Sequence, residues 1–298
     1  MGVKSAVKQG HQPLAIGSLL FAATFWGIVW YPLRWLDRNG LDGPWQMLVA
    51  YGSAFAVLAL VRWPGTGGMR GQGGKLLLMA LAAGWTNVGF VLAMLDGSVA
   101  RALILFYLSP VWTALLGHFM LGERLHRTTL LTIPLGLIGA AFMLWEPDIP
   151  RHGLSWGDLA AITAGFAFAL TNVLTRALHD LGTRQKTLVS WAGVVMLSLF
   201  LIWMEGTGIP AVSTLAWAGN VLLGVGGFLV TTLAVVYGVS QMPVQRSAII
   251  LLLEILVGAV TAWLLADESM GAMEWMGGLL IILAGILAIT REEVHDRA

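Results

Sequence analysis

The sequence predicts an all-α polytopic membrane protein, with ten transmembrane helices arranged as two inverted five-helix repeats around a central cavity. The composition, a series of apolar segments and an internal repeat support this fold class. Of the 298 residues, 57% are hydrophobic and 11% are charged, and the mean hydropathy is +0.79. A soluble domain of this composition would expose a very large apolar surface, so the bilayer is the expected solvent.

Ten apolar segments follow one another along the chain, separated by short polar breaks. Most are close to the roughly 20 residues that a helix needs to cross the hydrocarbon core. They are helices rather than strands because lipid offers no partner for backbone polar groups. The predicted segments are 14–36, 44–61, 76–95, 102–121, 128–145, 159–178, 187–204, 215–239, 247–266 and 272–289.

Residues 99–125 return at 244–270 with an offset of 145, which places Arg101 on Arg246 and Glu123 on Glu268. This weak repeat predicts two related units, 1–146 and 147–298, with five helices each. Because five is odd, the second unit enters the membrane from the opposite face. Inverted repeats give a fold two related conformations and place a substrate site between the halves near the midplane.

The distribution of basic residues predicts the orientation of the chain. With the N-terminus inside, 13 of the 17 Lys and Arg residues lie on the inner side, and the outer side holds Arg34, Arg38, Arg101 and Arg151. Positive charge is enriched in cytoplasmic loops. We therefore expect a multi-pass protein of the bacterial inner membrane with both termini cytoplasmic.

Several function classes are disfavoured by the sequence. The net charge of +1 provides no basic face for nucleic acid, and the absence of cysteine removes thiolate chemistry. No metalloprotease, serine-hydrolase or phosphate-loop motif occurs. We expect no enzymatic activity, no cofactor, no metal and a monomer whose partners are the lipid bilayer and a small-molecule substrate.

Two residues at membrane depth stand out as candidates for a substrate site. Glu254 lies eight residues, about 12 Å of helix, beyond Arg246. An uncompensated carboxylate at this depth costs about 2.5–3.5 kcal/mol, so it should face a partner or a wet cavity. Pro110 removes one helical N–H and frees a carbonyl, which can kink the helix or accept a bond from substrate. A structural role is the alternative for both.

Neutral polar and aromatic side chains complete the candidate substrate-binding set. Amide and hydroxyl groups suit a zwitterion, although they serve equally well in helix packing. Aromatic rings can enclose a bulky apolar side chain, with lipid contact as the alternative. These candidates are Asn87, Thr171, Asn172, Trp26, Phe90, Tyr107 and Phe228. The glycine run Gly224–Gly227 is a further feature, because it can unwind the eighth predicted segment beside the cavity.

Short motifs in both halves resemble the drug/metabolite transporter superfamily with paired EamA-type domains. They are Phe25-Trp26-Gly27, Tyr107-Leu-Ser-Pro110, Leu121-Gly-Glu-Arg124, Leu253-Glu254 and Asp267-Glu268. The second copy departs from the family pattern, with Ile255 where a proline is usual and Asp267 where a glycine is usual. The resemblance implies a ten-helix carrier. Its Trp-rich and Met-rich lining is most similar to bacterial aromatic amino-acid exporters.

The sequence and the resemblance together favour a secondary transporter. We expect export of amino acids, including aromatic or large apolar ones, by alternating access. Glu254 is the carboxylate best placed for proton coupling, and facilitated diffusion is the alternative. Export of drug-like or nucleotide-derived metabolites would need more cationic groups in the cavity. A membrane-embedded enzyme or a lipid scramblase is the alternative from another class.

Overall fold

A computed structural model describes residues 2–61, 65, 67–96, 99–125, 127–145, 155–265 and 271–290. Side chains are described within these ranges except at 2–11, 91, 94–96, 99–101 and 289–290. Regular secondary structure in the described residues is helical throughout. Asp267 and Glu268 lie outside the described residues, and Arg101 is described only in its backbone.

Fourteen α-helices and one π-helical turn form the described structure. The first half contains α1 (Gly2–Ile28), α2 (Trp30–Arg38), α3 (Gly43–Val61), α4 (Gly73–Asp96), α5 (Val99–Phe106), α6 (Ser109–Leu121) and α7 (Arg127–Met143). The second half contains α8 (Trp156–Ala177), α9 (Thr183–Glu205), α10 (Thr214–Leu222), the π-helical turn Leu223–Phe228, α11 (Leu229–Gln241), α12 (Val244–Leu251), α13 (Leu253–Leu265) and α14 (Ala272–Thr290).

These helices correspond to the predicted spans. Seven helical segments in the described residues are long and apolar enough to cross a membrane. With α4, which has 24 residues, and the shorter apolar helices α7 and α14, they match the ten predicted segments. Helix α1 begins at Gly2, well before the predicted start at 14, because its first turns carry polar residues that an apolar pattern does not register.

Some predicted spans are interrupted helices in the structure. The first span divides into α1 and α2, the fourth into α5 and α6, and the ninth into α12 and α13. The eighth span runs through α10, the π-helical turn and α11. This turn lies on the glycine run Gly224–Gly227, where the sequence predicted unwinding, and the helix widens there without ending.

Helix packing relates the two halves by a pseudo-twofold. Helix α4 packs on α8 and α9, and its counterpart span α10–α11 packs on α1 and α3. The broken span α5–α6 packs on α8, and its counterpart α12–α13 packs on α1. Helix α7 packs on its own counterpart α14. Exchanging the halves therefore reproduces the packing, and with five spans each the halves cross the membrane in opposite directions. The predicted boundary between 146 and 147 lies outside the described residues and stays a prediction.

The fourth and ninth spans break at equivalent positions. The turn at Tyr107 and Leu108 separates α5 from α6, and the turn at Leu252, 145 residues after Tyr107, separates α12 from α13. Pro110 lies in the first turn of α6, where a backbone N–H needs no helical partner. Ile255 occupies its place in α13, so the second break forms without a proline.

Glycines bring a neighbouring helix against each break. A Cβ at Gly165 of α8 would overlap the carbonyl oxygen of Phe106, which is the carbonyl that Pro110 leaves without its helical donor. A Cβ at Gly27 of α1 would lie 2.8 Å from the carbonyl oxygen of Glu254. Small residues allow this close backbone approach in membranes. The breaks are therefore buried against protein, as lipid requires.

The close contact between α7 and α14 predicts that a larger side chain at Gly277 destabilises the protein. A Cβ at Gly277 would lie 2.5 Å from the Gly139 carbonyl oxygen, whereas nothing lies within 4 Å of a Cβ at Gly17 in α1. We expect Gly277→Ala to destabilise the detergent-solubilised protein by about 1–3 kcal/mol, because overpacking forces the helices apart. Gly17→Ala is the matched control. Equal thermal unfolding midpoints for the two variants would contradict the tight contact.

Candidate functional site

The two broken spans meet through one polar pair. Tyr107 lies at the break of the fourth span, and Glu254 lies in the first turn of α13. The Tyr107 hydroxyl donates a hydrogen bond to Oε1 of Glu254. Both side chains are partly buried. This bond joins the two halves of the protein at the place where both helices are interrupted.

The environment of Glu254 favours a cationic ligand group. The ion pairs among the described residues are Arg176–Glu123 and His179–Asp180, and neither includes Glu254. Its position in the first turn of α13 provides the positive end of a helix dipole, which stabilises the carboxylate. A carboxylate held by a dipole and one hydroxyl can still accept hydrogen bonds from an ammonium group.

Trp26, Tyr51, Trp191 and Phe228 form an aromatic cluster. Trp26 stacks on Phe228 with ring centroids 5.2 Å apart, and Tyr51 lies 5.0 Å from Phe228. Trp191 contacts the edge of Tyr51 at 6.2 Å. Trp26 precedes Gly27 in α1, and the backbone at Gly27 closely approaches the Glu254 carbonyl, so α1 carries one ring of the cluster and packs on α13 at Glu254.

Asn87 joins the aromatic cluster through a hydrogen bond. The Tyr51 hydroxyl donates to Oδ1 of Asn87 over 3.2 Å, and Nδ2 of Asn87 donates to the Ala83 carbonyl over 3.0 Å. The amide therefore uses its oxygen across two helices and one donor within its own helix. A neutral group of this kind remains available to a ligand on its second N–H.

Further aromatic rings contact Tyr107, either directly or through Phe106. Phe90 and Phe106 have ring centroids 4.9 Å apart, and Phe106 lies 5.6 Å from Tyr107. Phe168 contacts Phe106 at 5.7 Å. Ring contacts thus lead from α4 and α8 through Phe106 of α5 to Tyr107.

The structure places the predicted site residues in two groups and leaves three apart. Trp26, Asn87 and Phe228 share the aromatic cluster, while Phe90, Tyr107 and Glu254 form the polar pair and its surroundings. The remaining three are Pro110, which is buried in α6, Thr171, whose hydroxyl donates to the Ala167 carbonyl over 2.9 Å, and Asn172, which is 5% exposed. Among the described contacts, no hydrogen bond or ring contact joins these three to either group.

Tyr51 and Phe106 are central to these contacts but were not predicted as site residues. Tyr51 is one of only four tyrosines in the chain and interrupts an apolar span, which is a usable sequence signal. Phe106 carries no such signal, because a phenylalanine in a transmembrane helix is equally typical of a lipid-facing position.

A polar network links several spans at the end of the bundle that charge bias predicts to be cytoplasmic. We call it the inner network: Glu123, Arg176, Lys186, Ser240 and Val244. Nε of Arg176 lies 2.9 Å from Oε1 of Glu123, and Oε2 accepts the Val244 N–H over 3.2 Å. Arg176 also donates to the Ser240 carbonyl, and Nζ of Lys186 donates to the Ser240 hydroxyl, each over 3.0 Å.

The inner network spans both halves of the protein. Glu123 follows α6 of the first half, whereas its partners belong to α8, α9, α11 and α12 of the second half. Its ion pair is partly buried, with side-chain exposures of 30% for Arg176 and 15% for Glu123. Partial burial weakens screening by salt, so this pair holds the helix ends more firmly than a surface pair would.

Comparisons with known proteins agree with this architecture. The model of the EamA-like transporter family matches residues 13–145 and again residues 155–291. A solved crystal structure that covers 92% of this chain, with 96% of its own length aligned, has the same fold with a TM-score of 0.73 at 17% identity.

Sequence relatives are transporters as well. An uncharacterized transporter of Archaeoglobus fulgidus is 30% identical over 220 residues, which cover 73% of this chain and 76% of the relative. A "probable terminal-alkyne amino-acid exporter" of Streptantibioticus cattleyicolor is 27% identical over 91% of this chain and 95% of its own. A "probable amino-acid metabolite efflux pump" of Escherichia coli is 25% identical over 57% and 60%.

Two family matches, one in each half, coincide with the two sets of five spans described above. The chain therefore belongs to the EamA-like transporter family, with two EamA domains.

Proposed function

We propose that this protein is a secondary carrier that exports amino acids, including aromatic or large apolar ones, by alternating access. The observation that carries this proposal is the Tyr107–Glu254 pair at the junction of the two halves, with the aromatic cluster linked to it through α1. An amino acid has an ammonium group for the carboxylate and a side chain for the rings. Relatives named as amino-acid exporters support the same substrate class.

The binding step follows from the chemistry of these groups. The ammonium of the substrate replaces the Tyr107 hydroxyl at Glu254, because an ionic hydrogen bond is stronger than a neutral donor can provide. The side chain enters between the rings of the aromatic cluster, and the second N–H of Asn87 donates to the substrate carboxylate. Breaking the Tyr107–Glu254 bond releases one contact between the halves, which links substrate binding to their relative movement.

The inner network is the proposed cytoplasmic gate. Its hydrogen bonds join the first half to the second at one end of the bundle, so the substrate path is closed at that end while they persist. Opening toward the cytoplasm requires that Glu123 separates from Arg176 and from the Val244 N–H. The equal packing of the two halves allows an alternative arrangement of opposite sense, as alternating access requires.

The charge of the candidate site favours amino acids over nucleotide-derived metabolites as substrates. The polar pair and the aromatic cluster contain one carboxylate and, in the part of the chain that the structure describes, no Lys or Arg. A phosphate group would be repelled by Glu254 and would lack a cationic partner. Uptake into proteoliposomes of labelled phenylalanine, leucine and a nucleotide tests the choice, and transport of the nucleotide alone would refute the proposal.

Glu254 is expected to carry both substrate recognition and proton coupling. Glu254→Gln keeps the size of the side chain and removes its charge, so we expect phenylalanine transport to fall by about ten-fold or more, since hydrogen bonds to charged groups contribute about 1.5–3 kcal/mol. The pH dependence of the remaining transport should disappear. Glu274→Gln, in the first turn of α14, is the matched control. Unchanged pH-dependent transport by Glu254→Gln would rule out the coupling role.

Trp26 is expected to select for large side chains. We expect Trp26→Ala to raise the KM for phenylalanine more than the KM for alanine, by about ten-fold in the ratio, because only the larger substrate loses its ring contact. The ratio does not depend on how much variant protein folds. Trp203→Ala serves as the control, since Trp203 is 76% exposed. An unchanged ratio would remove Trp26 from the site.

The proposed gate can be tested by labelling, because the chain contains no cysteine. Ser247, which is 1% exposed and one turn beyond Val244, takes a single cysteine as reporter. We expect Glu123→Gln to accelerate maleimide labelling of Ser247→Cys about five-fold or more in inside-out vesicles, since losing a charged hydrogen bond shifts the equilibrium by at least about 1 kcal/mol. Glu205→Gln, at an exposed position, should leave the rate unchanged. Equal rates in both backgrounds would argue against the gate.

A further inference from the structure

The inner network holds more positive than negative charge. Arg176 donates to the carbonyl oxygen of Ser240 and Lys186 donates to its hydroxyl, each over 3.0 Å, so the two cations lie close together. Glu123 is the carboxylate of this network and pairs with Arg176 over 2.9 Å. Two cations therefore share one anion at the closed inner end.

Lys186 is the cation that lacks a carboxylate in the part of the chain that the structure describes. The residue is only 2% exposed, and its ammonium is held by the neutral hydroxyl of Ser240 rather than by an ion pair. It also lies in the first turn of α9, where the helix dipole disfavours a positive charge. A buried ammonium in such a place is unfavourable for folding. It points to an anion that reaches Lys186 in another arrangement of the helices.

Opening of the inner end would increase this imbalance of charge. Glu123 belongs to the first half, whereas Arg176, Lys186 and Ser240 belong to the second half. When the halves separate, Glu123 leaves and the two cations stay together, because both are attached to Ser240. Removing one partner from a partly buried ion pair leaves an uncompensated charge, which is strongly unfavourable. An anion in the place of Glu123 would therefore stabilise the open inner end.

A substrate with a carboxylate can supply this anion. The guanidinium of Arg176 matches a carboxylate with its planar fork, and the ammonium of Lys186 adds a second charged donor. Glu254 and the aromatic cluster meet the ammonium group and the side chain, which phenethylamine shares with phenylalanine. Asn87 offers the carboxylate one neutral N–H, and this contact is weaker than a charged donor provides. A positive charge is therefore what separates an amino acid from the amine with the same side chain.

We propose that Lys186, together with Arg176, binds the carboxylate of the substrate when Glu123 leaves, so that opening of the inner end depends on a carboxylate. This inference rests on the proposed function, in which the inner network is the cytoplasmic gate. The exchange of one carboxylate for another keeps both cations compensated while the halves separate. Lys186 is thus a specificity-determining residue, which selects amino acids over amines with the same side chain.

Maleimide labelling of Ser247→Cys in inside-out vesicles tests the proposal with two probes. Phenylacetate carries the carboxylate without the ammonium group, and phenethylamine carries the ammonium group without the carboxylate. We expect phenylacetate to accelerate labelling about five-fold, the effect of one charged hydrogen bond on the equilibrium. Lys186→Gln should abolish this acceleration and Lys186→Arg should retain it, while the response to phenethylamine is the same in all variants. Arg184→Gln, exposed in the same turn of α9, is the matched control.

Transport in proteoliposomes gives a second measurement. We expect Lys186→Gln to raise the KM for phenylalanine relative to the KM for phenethylamine by about ten-fold, and this ratio does not depend on how much variant protein folds. Equal ratios in the parent and in Lys186→Gln, or equal labelling with and without phenylacetate in the parent, would overturn the inference.

The two measurements also separate this inference from the proposed function. If the parent transports phenylalanine but Lys186→Gln keeps the full response to phenylacetate, the inference fails and the proposed function stands. If the parent does not transport phenylalanine, the proposed function fails, and a response to phenylacetate that is lost in Lys186→Gln still supports carboxylate binding at the inner network. Loss of the response in Lys186→Arg as well would show that Lys186 acts through packing, which overturns the inference.

Discussion

The absence of water in the bilayer is the constraint on which the rest of this structure depends. Backbone polar groups must find partners within each span, so the chain is helical and its interruptions must be buried in protein. The breaks at Tyr107–Leu108 and at Leu252 satisfy this requirement through glycine contacts from the opposite half. Gly165 and Gly27 therefore let the backbones of the two halves approach each other closely at the breaks. They allow two broken helices to exist near the membrane centre, where a site can be built.

The same constraint explains why the polar pair is informative. A carboxylate at this depth is unfavourable unless it is compensated, and Glu254 receives only the Tyr107 hydroxyl and the positive end of α13 among the described residues. A residue kept only for packing could be apolar at lower cost. Under the proposed function, the acceptor capacity that remains free on Glu254 is available to the ammonium group of the substrate.

The pseudo-twofold is kept in the packing and broken in the chemistry. At the repeat offset of 145, Tyr107 corresponds to Leu252 and Glu254 corresponds to Ser109. Each half thus supplies one member of the pair, and the equivalent positions cannot form a second one. Under the proposed function, a single polar pair would give a substrate one orientation, while the matched helix packing would permit two related arrangements of the halves. Symmetry in packing and asymmetry in charge serve different requirements of transport.

The sequence by itself determined the number of spans, their positions and the repeat, and it singled out Glu254 as a candidate, because length, hydropathy and a charge in lipid are local properties. It also located the glycine run that becomes a π-helical turn. It did not determine the rotation of each helix, since a span that is apolar all round has no periodic face to read. The contacts of Tyr51 and Phe106, the position of Pro110 in a first turn and the separation of Thr171 and Asn172 from the polar pair and the aromatic cluster follow from that rotation. Only the tertiary structure decided them, because they depend on contacts between helices that are distant in the chain.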